Sequence, residues 1–252
     1  MKVVILCGGF GTRFSEETRN KPKPMIKIGK YPILFHIMKT YEKYGINHFI
    51  LALGYKGLNI KKYFQSENID KLNRDYNKYA KIKKKSKKWK IHFCFSGLKT
   101  MTGGRLLRLK KILKNEKSFL LTYGDGLSNV NIKKLVRFHN NKKKIATVTA
   151  VIPSARFGAL KIKGNDVKKF SEKPQSGEGW INGGYFVFNN KVFDYLGNDN
   201  TVLEEKPLEM LSKRKNLVAF KHKKYWQCMD TRREYDLLVK QWKKRKISWL
   251  KS

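Results

Sequence analysis

Three glycines follow the first apolar run in MKVVILCGGFGTRF: Gly8, Gly9 and Gly11, with Thr12 and Arg13 directly after them. Glycines let backbone N–H groups approach an anion closely, and Arg13 can fork two phosphate oxygens, so the stretch fits a phosphate cradle. It is not a P-loop, which closes with Gly-Lys-Ser/Thr, nor a dinucleotide fingerprint, whose third glycine is replaced here by Phe14. Lys21-Pro22-Lys23-Pro24 then pins two lysines between prolines. Prolines deny the segment a helix and predict an extended, stiff mount that fixes an ammonium where negative charge develops.

Two acids complement these cations. Asp125 lies between glycines at the end of an apolar run, where a carboxylate reaches the crevice of an open α/β sheet. Asp230, in WQCMDT, precedes a capped helix. Two carboxylates plus phosphate oxygens make a Mg²⁺ site, since magnesium takes few protein oxygens and keeps waters. Spacing alone leaves open that Asp125 is a turn residue and Asp230 a helix cap. Thr102-Gly103-Gly104-Arg105 is a second possible anion or base contact, Glu172-Lys173-Pro174 repeats the proline-pinned lysine, and Asn182-Gly183-Gly184 could pack against a sugar. The five histidines form no metal-spaced cluster and read as structural or surface residues.

The elements that must position these groups alternate. Lys2 to Cys7 reads as a buried strand, Pro32 to Tyr44 as a helix, His48 to Leu53 as a second strand and Gly57 to Phe64 as a short helix. Ile91 to Phe95, Phe119 to Tyr123, Ile145 to Ile152, Gly184 to Phe188 and Leu217 to Phe220 read as further strands. Gly103 to Leu113, Ile132 to His139, Leu203 to Lys213 and Thr231 to Lys243 read as helices, the last capped by Thr231. FGALKIKGNDVKKF predicts an antiparallel hairpin, placed with its surroundings at 157–188. Lys71 to Lys90 is lysine-dense without a stable period and predicts an exposed flap. The expectation is one α/β domain over 1–252, with a mixed, mostly parallel central sheet flanked by helices and a small antiparallel subregion.

Composition sets the outer bounds. With 252 residues, 40% hydrophobic and 13% aromatic, the chain can bury a core. No run is long enough for a membrane span or a signal-peptide core, which predicts a cytoplasmic protein. Three cysteines, 7, 94 and 228, lack CxxC spacing and read as reduced thiols, not a zinc site. The net charge of +38 invites nucleic acid or an anionic membrane. The lysines run the whole length, however, which suits a general compositional bias better than one docking face. No helix-turn-helix or RNP motif appears, so a nucleic-acid-binding reading ranks below an enzyme.

GGFGTR, KPKP, TGGR, YGDG, EKP, NGG and MDT, in this order from residue 3 to about 232, resemble the sugar-1-phosphate nucleotidyltransferases. GGFGTRFSEET and TYGDGLSNVNI are most similar to the cytidylyl branch. The resemblance implies a Rossmann-like fold and Mg²⁺-dependent transfer from CTP to glucose 1-phosphate, with UTP or dTTP and other sugar phosphates as the alternative. It implies that Leu6, Cys7, Gly8, Gly9, Phe10, Gly11, Thr12 and Arg13 wrap the nucleotide, with Lys23, Thr100, Gly104, Arg105 and Gly126 beside it. Asp125 and Asp230 would hold the metal, and Arg13, Lys23 and both aspartates would be catalytic. Lys173 would neutralise the sugar phosphate, with Tyr123, Gly158, Glu172, Asn182, Gly183 and Trp226 lining the sugar pocket. The same resemblance implies a homo-oligomer, with aromatics near Trp226, Trp242 and Trp249 available to an interface, and a role in surface-polysaccharide synthesis. Thr100 replaces an expected serine, Cys7 an alanine and Cys228 a proline.

Overall fold

The computed structural model describes residues 1–11, 14, 18–82, 88–153, 159–163, 166–171 and 179–251. A seven-stranded sheet forms the centre, built from β1 (Val3–Cys7), β4 (His48–Leu53), β5 (Lys90–Phe95), β6 (Ser118–Tyr123), β8 (Ala146–Val151), β11 (Ile181–Asn189) and β12 (Leu217–His222). Their order is β12-β8-β11-β6-β1-β4-β5. β1 pairs in parallel with β4 and β6, β4 with β5, and β8 with β12. Only β11 runs antiparallel to its neighbours, β6 and β8. The strand order reverses beside β1, between β4 and β6, and such switch points open a crevice at strand carboxyl ends.

β1 shows why the sheet is covered on both faces. Val3, Ile5 and Cys7 pack with Tyr31, Phe35, Tyr41 and Leu120, whereas Val4 and Leu6 pack on the other side with Leu106, Phe119 and Phe186. Alternate residues of a strand point to opposite faces, so a strand buried on both must be apolar throughout. Helices α1 (Ile33–Glu42), α2 (Gly57–Ser66) and α3 (Ile69–Tyr79) lie between the strands of the first half. Three two-stranded pieces are added: β2 (Lys27–Ile28) with β3 (Tyr31–Pro32), β7 (Gly126–Ser128) with β13 (Trp226–Cys228), and β9 (Ala159–Lys163) with β10 (Asp166–Ser171). The last is the expected antiparallel hairpin, whose turn residues 164 and 165 lie outside the described residues. β11, assigned with it to one region at 157–188, belongs instead to the central sheet.

The flap expected at 71–90 is corrected over its first half, and residues 83–87 of it lie outside the described residues. Residues 69–79 form α3, capped by Asn68, whose Oδ1 accepts from the N–H of Lys71 at 2.9 Å. Asn73 and Tyr76 are buried, and Tyr76 meets Tyr31, Phe35, His36 and Trp242. Ile69, Asn73, Tyr76 and Ala80 carry a helical period that the surrounding lysines obscure. Trp242 and Trp249 sit in the same cluster, 5% and 1% exposed, so neither offers an oligomer interface. The helix expected at 103–113 is two, α4 (Thr102–Leu107) and α5 (Lys110–Leu113), with Leu106, Leu109 and Leu113 buried as expected. α6 (Ile132–Lys142), α7 (Lys206–Lys213) and α8 (Arg232–Lys243) are the remaining α-helices among the described residues. Among the described residues, none is long and apolar enough to cross a membrane.

Candidate active site

A cavity of about 770 Å³ opens at the carboxyl ends of β1 and β6. The end of β1 and the glycine loop enter it through Leu6, Cys7, Gly8, Gly9, Phe10 and Gly11. Close approach explains two of these glycines. A Cβ on Gly8 would lie 2.2 Å from the Arg105 guanidinium. Gly11 has φ +70, a conformation that side chains disfavour, and its carbonyl accepts from the N–H of Phe14 (3.0 Å) and the hydroxyl of Thr18 (3.1 Å). Thr12 and Arg13 lie outside the described residues.

Lys23 sits where both acids meet. Residues Lys23–Met25 form one 3₁₀ turn, not the extended segment expected from the prolines. Proline needs no partner for a missing N–H in a first turn, so Pro24 is tolerated there. The Lys23 ammonium donates to Asp125 Oδ2 at 2.7 Å and to Asp230 Oδ1. Burial opposes its charge, but the two carboxylates outweigh that and hold its pKa above the ordinary lysine value.

These partners lie 102 and 207 residues from Lys23, and a short strand pair brings them together. β13 pairs antiparallel with β7, Cys228 opposite Gly126, and the N–H of Met229 donates to Asp125 O at 3.0 Å. The reading of Asp230 as a helix cap is removed. Thr231 is the N-cap of α8, in a capping box with Glu234, leaving the Asp230 side chain to Lys23. Glu234 Oε2 accepts from the N–H groups of both Asp230 (2.7 Å) and Thr231 (3.0 Å), which ties the acid to the helix start. Cys228 lies beside this cluster, its thiol pushed up to about 12 by burial and neighbouring carboxylates.

Two carboxylates that contact a single cation are close enough together to share a metal ion. Among the described residues no third acid, histidine or cysteine completes a protein-only metal cluster. Such a donor set suits Mg²⁺, which keeps waters and takes substrate phosphate oxygens for its remaining positions.

Arg105 lines the cavity, but its guanidinium is already occupied. It donates to the carbonyls of Gly8, Gly97 and Leu98 at 3.0, 2.7 and 3.2 Å, more weakly to that of Leu53, and to Ser96 Oγ at 2.9 Å. With its fork on these acceptors, Arg105 buttresses the glycine loop from a place on the cavity wall. Gly104, expected beside the nucleotide, is corrected: it does not line the cavity. Its N–H donates to Thr201 O, and a Cβ there would lie 2.4 Å from Asp199 O. Thr100 and Gly126 do line it.

The cavity lining also includes Tyr123, Asn182, Gly183 and Trp226. Trp226 Nε1 donates to Gly183 O at 2.7 Å, and Asn182 Oδ1 accepts from Gly184 N at 2.8 Å across an irregularity in β11. Gly158, Glu172 and Lys173 lie outside the described residues. Thr102, offered with Gly103, Gly104 and Arg105 as a possible contact, lines the wall, whereas sequence reasoning missed Cys228 there and one acid, Glu204, for which no motif or spacing gave a signal.

Residues 2–236 match the family model described as nucleotidyl transferase. The chain belongs to the nucleotidyl transferase family. Within this family, the glucose-1-phosphate cytidylyltransferase of Salmonella typhimurium is 44% identical over 253 residues, 99% of this chain and 98% of that protein. The probable glucose-1-phosphate cytidylyltransferase of Bacillus subtilis is 44% identical over 257 residues, 99% of each chain. Among solved structures, HddC from Yersinia pseudotuberculosis is similar with a TM-score of 0.71 at 25% identity, covering 95% of this chain and 98% of that one. This nucleotidyl transferase therefore has the expected fold class, a mixed sheet of mostly parallel strands flanked by helices.

Proposed function

We propose that this nucleotidyl transferase moves a cytidylyl group from CTP to glucose 1-phosphate, forming CDP-glucose and pyrophosphate. The observation that carries the reading is 44% identity over 99% of the chain to a glucose-1-phosphate cytidylyltransferase. In the reaction a phosphate oxygen of glucose 1-phosphate bonds to the α-phosphorus of CTP while the bond to the departing pyrophosphate breaks. No covalent enzyme intermediate is needed, so the protein contributes positioning and charge.

The glycine loop at Gly8, Gly9 and Gly11 would admit the nucleotide, with Arg105 holding the loop's shape from behind. Lys23, with Arg13 assigned by motif, would meet the charge on the phosphates, and Lys173 that of the sugar phosphate. Asp125 and Asp230 would hold Mg²⁺, which when bound neutralises phosphate oxygens and favours one phosphate geometry. The Tyr123, Asn182, Gly183 and Trp226 wall would receive the sugar. The test is a panel of the four ribonucleoside triphosphates and dTTP against several sugar 1-phosphates with Mg²⁺, following pyrophosphate and the nucleotide sugar. CTP with glucose 1-phosphate is the expected best pair. A clear preference for UTP or dTTP overturns the cytidylyl assignment.

A further inference from the structure

Among the described residues the cavity wall carries three carboxylates, and they are held in different ways. Asp125 and Asp230 face the Lys23 ammonium. Glu204 faces hydroxyls: Thr102 Oγ1 donates to its Oε2 at 2.5 Å and Tyr123 OH to its Oε1. Hydroxyl donors orient a carboxylate without neutralising it, and its two oxygens offer about four acceptor sites, of which these bonds take two. Glu204 is exposed, on a residue that lines the cavity, so the remaining acceptor capacity is open to a ligand.

The segment carrying Glu204 is held firmly to the start of α4. Met101 N donates to Asp199 O (2.8 Å), Gly103 N to Thr201 O (2.9 Å) and Leu203 N to Thr102 Oγ1 (2.9 Å). Hydrogen bonds thus run from Thr102 through Glu204 to Tyr123.

A cavity that takes a triphosphate and a sugar phosphate is hostile ground for an unneutralised acid near the phosphates, because like charges repel strongly in a partly enclosed site. The acid can face only a neutral end of the ligands. Its partner Tyr123 lines the cavity together with Asn182, Gly183 and Trp226, the residues assigned to the sugar. We propose that Glu204 is a specificity-determining residue that accepts hydrogen bonds from hydroxyls of the hexose. This rests on the reading of the enzyme as a sugar-1-phosphate cytidylyltransferase. A carboxylate there selects a sugar presenting hydroxyl donors at the right positions, and its repulsion of phosphate sets the direction in which glucose 1-phosphate enters.

The experiment compares the full-length enzyme with Glu204→Gln by calorimetric binding of CDP-glucose and of CDP, and by steady-state kinetics. The expected result is CDP-glucose binding weakened roughly 10–100-fold, the range for a hydrogen bond to a charged group, with CDP binding unchanged. KM for glucose 1-phosphate should rise while KM for CTP stays constant. Among monodeoxy glucose 1-phosphates, the analogue lacking the recognised hydroxyl should be poor for the unaltered enzyme and suffer no further loss in the variant. Should Glu204→Gln fail to fold, Tyr123→Phe, which deletes one of the two orienting hydroxyls, is expected to give a smaller loss in the same sense. Equal weakening of CDP and CDP-glucose places the acid at the ribose or in the framework and overturns the proposal. So does unchanged binding of both, or an additive loss with every deoxy analogue. If the unaltered chain neither forms nor binds CDP-glucose, the cytidylyl reading itself fails, and the Glu204 proposal falls with it.

Discussion

Two lysine–carboxylate clusters in this molecule use the same pairing chemistry to opposite ends. Lys39 is 2% exposed, contacts Glu42 three residues along α1 and donates to Asn73 Oδ1 at 3.2 Å. Its ammonium also lies over the rings of Tyr76 (5.5 Å) and Trp89 (6.0 Å). Lys23 contacts two acids brought from distant parts of the chain, and its cluster opens into the cavity. Burial dominates at Lys39 and lowers its pKa, whereas the paired carboxylates dominate at Lys23 and raise it. The sealed ammonium is held by side chains of the core. An open cluster in which two acids share one cation has a place for another cation and a charge free to move onto a ligand.

Substitutions that separate the two clusters test this contrast. The largest effect is expected at the open one: Asp125→Asn and Lys23→Ala should each lower turnover by about 10²–10⁴-fold, as for lost electrostatic stabilisers, with melting temperature little changed. Steady-state rates and thermal unfolding on the same samples check it, and near-normal turnover in either variant breaks the site assignment. At the sealed cluster, Lys39→Met should leave kcat of the folded enzyme intact yet cost about 3–5 kcal/mol of stability, because the buried Glu42 carboxylate loses the ammonium that faces it. Denaturant titration measures this; lost activity in a fully folded variant would merge the two clusters into one functional unit.

The third effect belongs to the sealed side as well. His36 is buried, bonded to Tyr76 OH (2.8 Å) and Ile28 O (3.0 Å), and burial lowers its pKa to about 3. Below about pH 6.5 the unfolded chain takes up a proton that the native state refuses, so stability falls with falling pH until about pH 3. From pH 7 to pH 5 the loss should be about 2 kcal/mol, and a His36→Gln variant should lack this part of the slope. The smallest effect returns to the open side. On the proposal that Asp125 and Asp230 hold the metal, the Lys23 ammonium would compete with it when nucleotide is absent, so Lys23→Gln should bind Mn²⁺ roughly tenfold tighter, read by electron paramagnetic resonance. Equal affinity would mean that the ammonium and the metal do not share a place.

Much of the architecture was legible because local patterns carried it. The apolar runs of β1, β4 and β6, the alternation of strands and helices, and Thr231 before α8 all depend on neighbours within a few residues. α3 was obscured because its buried stripe is narrow and polar at Asn73, so lysine density outweighed a helical period that was present. The start of the glycine loop, Lys23 and both aspartates were readable as candidates by type and position. Their meeting was not, because it rests on β7 and β13, three-residue strands too short to show a period. The hold of Arg105 on the glycine loop was illegible for a related reason. TGGR is the same string whether its guanidinium faces a ligand or a ring of carbonyls.

By itself, then, the sequence determined the order of strands and helices, the loop that must be glycine, and the short roster of residues able to bind phosphate or metal. These follow from backbone sterics and hydrophobic periodicity, which act over a few residues. Only the tertiary structure decided that Asp125 and Asp230 share Lys23, that Arg105 holds the loop from behind, and that Glu204 enters the cavity at all. Those outcomes depend on distances between segments about a hundred residues or more apart, set by how a sheet folds its strand ends together.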